Sequence, residues 1–379
     1  PNRTANAPAQ TATSCIGSWE GSAPFNGKID QVRIYDAAIS AANVTTLYNE
    51  IECPAVAVTN AFNTVLWTGD GISGRAIPVG FQPDMSWYKS RNNAYDHNLS
   101  DSVRGAQKQI RPNRTIAEVS ATDQITAFTS TGLTLGNGGD ANSLNKTYVA
   151  WNWKAGGTAV SNTDGTITSQ VSANVDSGFS VVKWSMSLPL SGTQTIGHGI
   201  SRPDMIIYKN LDNASQWQVY TQPTGNGGVT FLNLSNGFSA GANKFPSVGN
   251  TTFTIGQDFL QYPAVYGGNN IAYCFTSIPG YSRIGSYIGK TAGVTIYTGF
   301  QPRFLMIKAS QATYPENWAI LDAVRGSGKC LNPNLSNAET DSALNTFTTS
   351  ATGFSFPNQN IADAMLNENG YEYTFLAIA

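Results

Sequence analysis

The sequence predicts an all-β protein made of tandem, jelly-roll-like β-sandwich domains. Short runs rich in Val, Ile, Tyr, Phe, Trp and Thr alternate with Gly, Asn, Asp and Pro. Turn pairs such as Asn137-Gly138 and Asn226-Gly227 suit the positive φ angles of tight hairpins. Helical periodicity is weak, and the best candidate helix covers residues 40–49. Regular short strands separated by turns are typical of sandwiches and barrels.

Composition limits the kind of partner. The chain has 379 residues, enough for several domains, and a formal net charge of −2. It therefore offers no general attraction for nucleic acid or for an anionic membrane surface. Charged residues make up only 12% of the chain, so most of the polar surface must be uncharged. The sequence holds no apolar run long enough to span a bilayer, and we expect no membrane insertion.

Three repeats recur along the chain. Each begins with a Pro and a mostly apolar run that ends on Lys, at residues 83–89 (PDMSWYK), 203–209 (PDMIIYK) and 302–308 (PRFLMIK). A Gly stands shortly before each Pro, at Gly80, Gly199 and Gly299. A second strand closes each repeat at a large apolar residue: Trp153, Phe275 and Leu376. Units of about 100 residues are whole domains rather than rungs of a solenoid.

Glycine-rich joins after the first and second repeats set the expected domain boundaries. We predict an N-terminal piece and three β domains, over residues 1–53, 54–157, 158–279 and 280–379. The first and third repeats also share the frame Asp-x-Val-Arg-Gly, which contains Arg104 and Arg325. The expected role of each arginine is a bidentate bond to the nearby Asp or to loop carbonyls. Recognition of a carboxylate on a receptor is the alternative.

The N-terminal piece carries a recognisable pattern. Residues 25–36 (FNGKIDQVRIYD) are followed by Ala38-Ile39-Ser40 and Leu47-Tyr48. This resembles the closing strand and short helix of a laminin-G or concanavalin-A-like jelly roll. Such domains are much longer than this piece. We therefore expect that the upstream part was cut away or that these residues complete another chain's sheet.

The repeats carry a second resemblance. Residues 179–184 (FSVVKW), 205–209 (MIIYK) and above all 280–289 (GYSRIGSYIG) resemble repeats in tail-fibre-like virion proteins of tailed bacteriophages. The resemblance covers roughly residues 62–379. It implies a virion component, a fibre or spike of the tail, assembled as a homotrimer and in contact with other virion proteins. It implies no catalytic residues.

Catalytic and redox motifs are missing from the sequence. The two histidines, His97 and His198, are too few for a His-rich metal site and lie in no nucleophile motif. Paired carboxylates at glycosidase spacing on one strand are also absent. We therefore expect that the chain is not an enzyme. The cysteines form no Cys-x-x-Cys, and both a Cys15–Cys53 bridge and buried free thiols stay open.

Calcium is the one cofactor that the sequence leaves open. Asp140 stands in a loop with Asn137 and Asn142, and Asp164 stands in the turn SNTDG. Carboxylates and loop carbonyls are the ligands that Ca²⁺ prefers. An Asx turn that closes a hairpin explains the same residues, and we prefer that interpretation.

Aromatic residues in polar stretches are the candidates for binding a host glycan. Sugars stack on Trp and Tyr rings and bond to Asn, Asp and Gln side chains. The glycan candidates are Tyr95, Trp217, Tyr314 and Trp318, together with Arg104 and Arg325. Burial in strands explains each ring equally well, and we prefer that interpretation. Trp87 aligns with Ile207 and Met306, which predicts a place in the core.

These observations give one expected function and two alternatives. We expect a fibre or spike component of a virion that attaches to a glycan or protein on the host surface. The first alternative is a purely structural virion protein, a capsid decoration or tail connector without a receptor. The second is a fragment of a secreted carbohydrate-active enzyme whose catalytic part lies upstream.

Overall fold

The computed structural model describes residue 40 and residues 58–379, apart from 188–193, 241–243, 257–262, 311–314 and 358–364. Contacts divide the chain into two compact units, Pro1–Cys53 and Pro54–Ala379. The N-terminal jelly-roll piece, the helix expected over residues 40–49 and the Cys15–Cys53 pair lie outside the described residues, except for Ser40. We call the second unit the repeat body.

Each repeat of the body contributes its own set of strands. Repeat 1 contains β1 (Phe62–Thr68), β2 (Arg75–Pro78), β3 (Met85–Ser90), β4 (Asn98–Asp101), β5 (Gly105–Ile110), β6 (Val119–Ser120), β7 (Ile125–Thr129), β8 (Gly132–Leu135), the short helix α1 (Gly139–Asn142) and β9 (Thr147–Trp153). Repeat 2 contains β10 (Val160–Asn162), β11 (Ser169–Asn174), β12 (Phe179–Met186), β13 (Gln194–Gly197), β14 (Met205–Asn210), β15 (Gln218–Thr221), a 3₁₀ turn (Gln222–Thr224), β16 (Gly228–Phe231), β17 (Ser239–Ala240), β18 (Thr252–Ile255), α2 (Pro263–Tyr266) and β19 (Gly268–Phe275).

The described part of repeat 3 contains nine strands, as many as that of repeat 1. It contains β20 (Ser282–Ile288), β21 (Val294–Tyr297), β22 (Phe304–Ala309), β23 (Ala319–Asp322), β24 (Lys329–Cys330), β25 (Thr340–Asp341), a 3₁₀ turn (Ala343–Asn345), β26 (Thr348–Ser350), β27 (Gly353–Phe356) and β28 (Glu372–Ile378). None of the described helices is long and apolar enough to cross a membrane.

Every repeat is a sandwich of a larger and a smaller antiparallel sheet. The larger sheets run β1-β9-β3-β4-β5-β6, β10-β11-β12-β19-β14-β15-β16-β17 and β20-β28-β22-β23. The smaller ones run β2-β8-β7, β13-β18 and β21-β27-β26. The predicted all-β sandwich fold is therefore confirmed.

The central strands of each larger sheet are buried on both faces. Along β3, Met85 and Trp87 face one core while Tyr88 faces the other, because successive side chains of a strand alternate. Tyr88 packs inside the sandwich of repeat 1. Repeats 2 and 3 have sandwich cores of their own. This double burial explains why the strands are nearly continuous apolar runs.

The other faces of the three larger sheets meet in one shared hydrophobic cluster, which we call the central core. Its members come from all three repeats and include Met85, Trp87, Trp151, Trp153, Ile207, Tyr273, Phe275, Phe304, Met306 and Leu376. The three repeats thus pack together within a single compact unit. Each larger sheet would expose its apolar face if it stood alone.

The strand register fixes how the repeats correspond. Trp87, Ile207 and Met306 pair with Trp151, Tyr273 and Leu376 respectively, so the predicted equivalence of the first three is confirmed. Gly80, Gly199 and Gly299 all have positive φ, at 95°, 71° and 86°. The predicted correspondence of Leu376 with Trp153 and Phe275 is wrong. The equivalent of Trp153 and Phe275 is Ile378, because Phe304 pairs with Ile378 and not with Leu376.

Candidate functional site

The residues singled out by their sequence gather where two repeats meet. We call these places the 1–2, 1–3 and 2–3 joints after the repeats that form them. The same backbone hydrogen bond closes all three. The amides of Glu118, Glu339 and Phe238 donate to the carbonyls of Leu211, Arg91 and Ser310 respectively. The joints therefore follow one another cyclically around the central core.

The 1–2 joint contains a buried ion-pair network. Arg104 Nε lies 2.6 Å from Asp101 Oδ2, and Arg104 Nη1 lies 3.0 Å from Glu118 Oε2. The hydroxyl of Tyr273, from repeat 2, donates to Asp101 Oδ2 over 2.6 Å. Burial opposes the charged form of Arg104, but the attraction of Asp101, Tyr273 and Glu118 together outweighs burial and raises the arginine's pKa. Arg104 therefore stays charged and is held by its own chain.

The 1–3 joint repeats this network with different partners. Arg325 is bonded to Asp322 Oδ2 and donates to the carbonyl of Ile320 over 2.8 Å. Trp151, from repeat 1, donates its indole N–H to Asp322 Oδ2 over 3.0 Å. The guanidinium also lies 5.2 Å from the centre of the Trp151 ring. The frame Asp-x-Val-Arg-Gly therefore ties each of these repeats to a neighbour.

Among the described residues of the 2–3 joint there is no equivalent ion pair. Repeat 2 has two threonines at the positions that the Asp and the Arg of the ion pair occupy in repeats 1 and 3. These are Thr221 and Thr224, whose hydroxyls lie 2.9 Å apart. At the position of Trp151 and Tyr273, repeat 3 has Leu376, a member of the central core. The positive φ of Gly225 matches that of Gly105 and Gly326, which confirms the correspondence.

An indole or imidazole ring occupies the same place in each repeat. The backbone amides of His97, Trp217 and Trp318 donate to the side-chain oxygens of Asn113, Asn233 and Asn334, each sixteen residues further along. The indole of Trp217 donates across the 1–2 joint to the carbonyl of Arg111, and that of Trp318 across the 2–3 joint to the carbonyl of Phe231. Both tryptophans are fully buried.

His97 fills this place in repeat 1. Its Nδ1 accepts a hydrogen bond from the indole of Trp87 over 3.0 Å. Burial lowers the pKa of His97 well below its ordinary value, so the ring is neutral and its other nitrogen carries the proton. The histidine packs inside the protein as the two tryptophans do.

The burial of the glycan candidates determines which of them could contact a sugar. Trp217 and Trp318 are fully buried and have no ring face open to a sugar, which agrees with the preferred interpretation of burial and not with glycan contact. Arg104 and Arg325 have side chains that are almost completely buried and paired, as the structural interpretation predicts. Tyr95 is half-buried in the loop after β3. Tyr314 lies outside the described residues.

The calcium candidates differ in their surroundings. Asp140 lies in α1, where Arg111 Nη2 is 3.7 Å from its carboxylate. Asn142 turns inward and donates to the carbonyl of Gly136 over 2.9 Å. Asp164 is exposed and forms an Asx-type pair with Asn162, whose amide donates to it over 2.9 Å. No group of three or more His, Cys, Asp or Glu side chains suited to a metal occurs among the described residues.

Sequence reasoning missed a set of buried lysines. Lys89, Lys209 and Lys308 end the three Pro-to-Lys strands, and all are fully buried. Lys209 Nζ donates to the carbonyls of Asn210 and Asn213 and to Ser215 Oγ. Burial lowers the pKa of Lys89, Lys209 and Lys308 to about 8, 7 and 8. Their recurrence in each repeat was the available signal.

Two surface clefts occupy equivalent positions in repeats 1 and 2. Each lies where the glycine-containing loop before β3 or β14 meets a hairpin of the smaller sheet. Cleft 1 has a volume of about 490 Å³ and is lined by Gly80, Gln82, Asp84, Ser130 and Lys154 among others. Cleft 2 has a volume of about 530 Å³ and is lined by Gly199, Ser201, Asn250 and Thr251 among others. Each lining combines polar and apolar surface.

Fold and joints together define an all-β protein whose three sandwich repeats close around one core. The chain belongs to the family described as a domain of unknown function (DUF7483), whose model matches residues 57–379. That match begins close to the boundary between the two compact units. The comparison with curated proteins gave no match.

Proposed function

We propose that this chain is a fibre or spike component of a tailed-phage virion and that its repeat body attaches to a glycan or protein on the host surface. The observation that carries the proposal is the resemblance of residues 280–289 and their counterparts to tail-fibre-like repeats. The closed three-repeat body supports it, since buried ion pairs and a shared core suit a particle exposed to solvent and proteases. Several copies on one particle would give avidity to weak contacts.

A purely structural role in the virion is the second candidate. One observation favours it: Arg104, Trp217, Trp318 and Arg325 are engaged within the protein rather than presented to a ligand. An adhesive role would therefore use other surfaces, such as the two clefts. A homotrimer would likewise use other surfaces, because the three repeats of one chain fill the central core by themselves.

Mass spectrometry of purified particles, combined with electron microscopy using an antibody to the repeat body, tests the proposal. Label at fibre tips or the distal tail is the expected result. Label spread over the head or buried at a connector would favour the structural role. Absence of the chain from purified particles would overturn both.

A further inference from the structure

We propose that the 1–3 joint is an acid-sensitive latch, which opens when the imidazole of His97 takes up a proton. The 1–2 and 2–3 joints connect repeats that follow each other along the chain. The 1–3 joint connects the first repeat to the last one, so it closes the circle of repeats. It can therefore open without separating consecutive repeats. The proposal is independent of the attachment function.

The three joints share one kind of contact, but only the 1–3 joint makes it with a group that titrates near neutral pH. The indoles of Trp217 and Trp318 donate to carbonyls that stand two residues before the asparagine holding the ring of the neighbouring repeat. For His97 the corresponding carbonyl is that of Asn332, two residues before Asn334. This carbonyl favours the charged imidazole, although Nε2 makes no hydrogen bond of normal geometry within the described part of the chain. Histidine gains or loses a proton in this pH range and an indole does not.

The closed joint opposes a second proton on the imidazole. His97 is fully buried, so the charged ring would lose its hydration. Its Nδ1 accepts from the indole of Trp87 over 3.0 Å, and a proton there would face another donor. Two cations, Lys89 in repeat 1 and Arg325 in repeat 3, also act against its charge. Lys89 stays charged throughout the acid range, since burial lowers its pKa only to about 8.

The carboxylates around the joint are engaged with other cations. Asp96, which precedes His97 in the chain, is bonded to two arginines. Asp322 is bonded to Arg325, and Glu339 accepts from the same arginine over 3.1 Å. A proton on His97 therefore stays uncompensated as long as the joint is closed. In the open joint, water hydrates the imidazolium and removes the penalty.

The coupling between acid and opening has a defined direction and size. His97 is neutral in the closed joint and regains its ordinary pKa of about 6.5 in the open one. Because only the open form binds the proton, the equilibrium constant for opening should rise about tenfold for each pH unit below 6.5. Between pH 7.5 and pH 4.5 the rise amounts to about 100-fold. The latch is therefore tight above pH 6.5 and loosens in acid.

Amide hydrogen exchange of the full chain tests the latch, measured by NMR at pH 7.5 and pH 4.5 and corrected for intrinsic exchange rates. The amides of Glu339, Glu118 and Phe238 close the 1–3, 1–2 and 2–3 joints and serve as matched probes. We expect the protection of Glu339 to fall about 100-fold in acid. The protection of the other two amides should change much less.

Two variants assign the effect to one histidine. In His97→Gln the side chain is neutral at both pH values, so the fall in protection at Glu339 should be largely lost. His198→Gln is the matched control. His198 is the other histidine of the chain and lies within repeat 2, where its Nε2 is 3.2 Å from the carbonyl of Gly249. This variant should leave the fall at Glu339 unchanged.

Three results would overturn the latch: Glu339 keeps its protection in acid, all three amides lose protection equally as in global unfolding, or His97→Gln behaves as the parent does. If that variant misfolds, the imidazole signals of the parent decide the question. The chain has only two histidines, so these signals are readily assigned. His97 should stay neutral in the folded protein at pH 4.5. Titration of its folded-state signal near pH 6.5 would contradict the proposal.

Discussion

Removal of the Arg325 guanidinium should destabilise the repeat body severely. The side chains of Arg325 and Asp322 are both fully buried, and the arginine also lies 3.1 Å from Glu339 Oε2. In Arg325→Met the Asp322 carboxylate would stay buried, with the Trp151 indole and one backbone amide as its remaining donors. Breaking a buried ion pair in this way costs about 3–5 kcal/mol, because an uncompensated charge is left behind. Urea unfolding followed by tryptophan fluorescence measures this loss.

Repeat 2 supplies the matched control for this experiment. Thr221 and Thr224 stand where repeat 3 has Asp322 and Arg325, so the double variant Asp322→Thr with Arg325→Thr reproduces an arrangement that the fold already contains. The double variant removes both charges together, so its unfolding free energy should fall clearly less than that of Arg325→Met. A loss below about 1 kcal/mol for Arg325→Met, or a double variant that is as unstable as the single one, would refute the buried-network account.

Three further predictions concern the core, the rings and the lysines. Met306→Ala should cost about 2–5 kcal/mol of unfolding free energy, because Met306 is buried in the central core; a change below that range would contradict the shared core. Trp318→Phe should cost about 0.5–1.5 kcal/mol by removing the hydrogen bond that the indole N–H donates to the Phe231 carbonyl, measured by the same urea unfolding. Burial lowers the pKa of Lys209 to about 7, so between pH 7 and its ordinary pKa the unfolded chain binds more protons. The unfolding free energy should therefore rise from pH 7 to pH 9, by about 1 kcal/mol or more per buried lysine, and Lys209→Met should reduce that rise.

Local structure could be predicted from the sequence because it depends on near neighbours. Alternating β-formers and turn residues gave the strands, and the glycines before each Pro marked positions of positive φ such as Gly80. The repeat pattern gave the correspondence of Trp87, Ile207 and Met306. The misplacement of Leu376 arose because β28 is apolar at consecutive positions, so its hydrophobic pattern does not fix which residue faces which core.

The place of the candidate site residues at the joints between repeats could not be predicted in the same way. Trp217 and Trp318 have polar sequence neighbours, Gln216 and Asn317, which made the two rings candidates for glycan contact although burial was the preferred interpretation. Those neighbours instead accept hydrogen bonds from the asparagines that also hold the tryptophan backbones. Whether a ring is buried at a joint depends on how whole repeats pack against each other. The sequence of a single repeat carries no information about that packing. The sixteen-residue spacing from ring to Asn was the one local signal.

The shared central core is the claim on which the fold, the joints and the site all depend. Small-angle X-ray scattering of residues 54–379 tests it directly, because a single compact unit of that length should have a radius of gyration of about 20 Å. Three separate domains of about 13 Å each, arranged in a row, would give a much larger value, near 30 Å. A value close to 20 Å is the predicted result. A value near 30 Å would contradict the closure of the three repeats around one core.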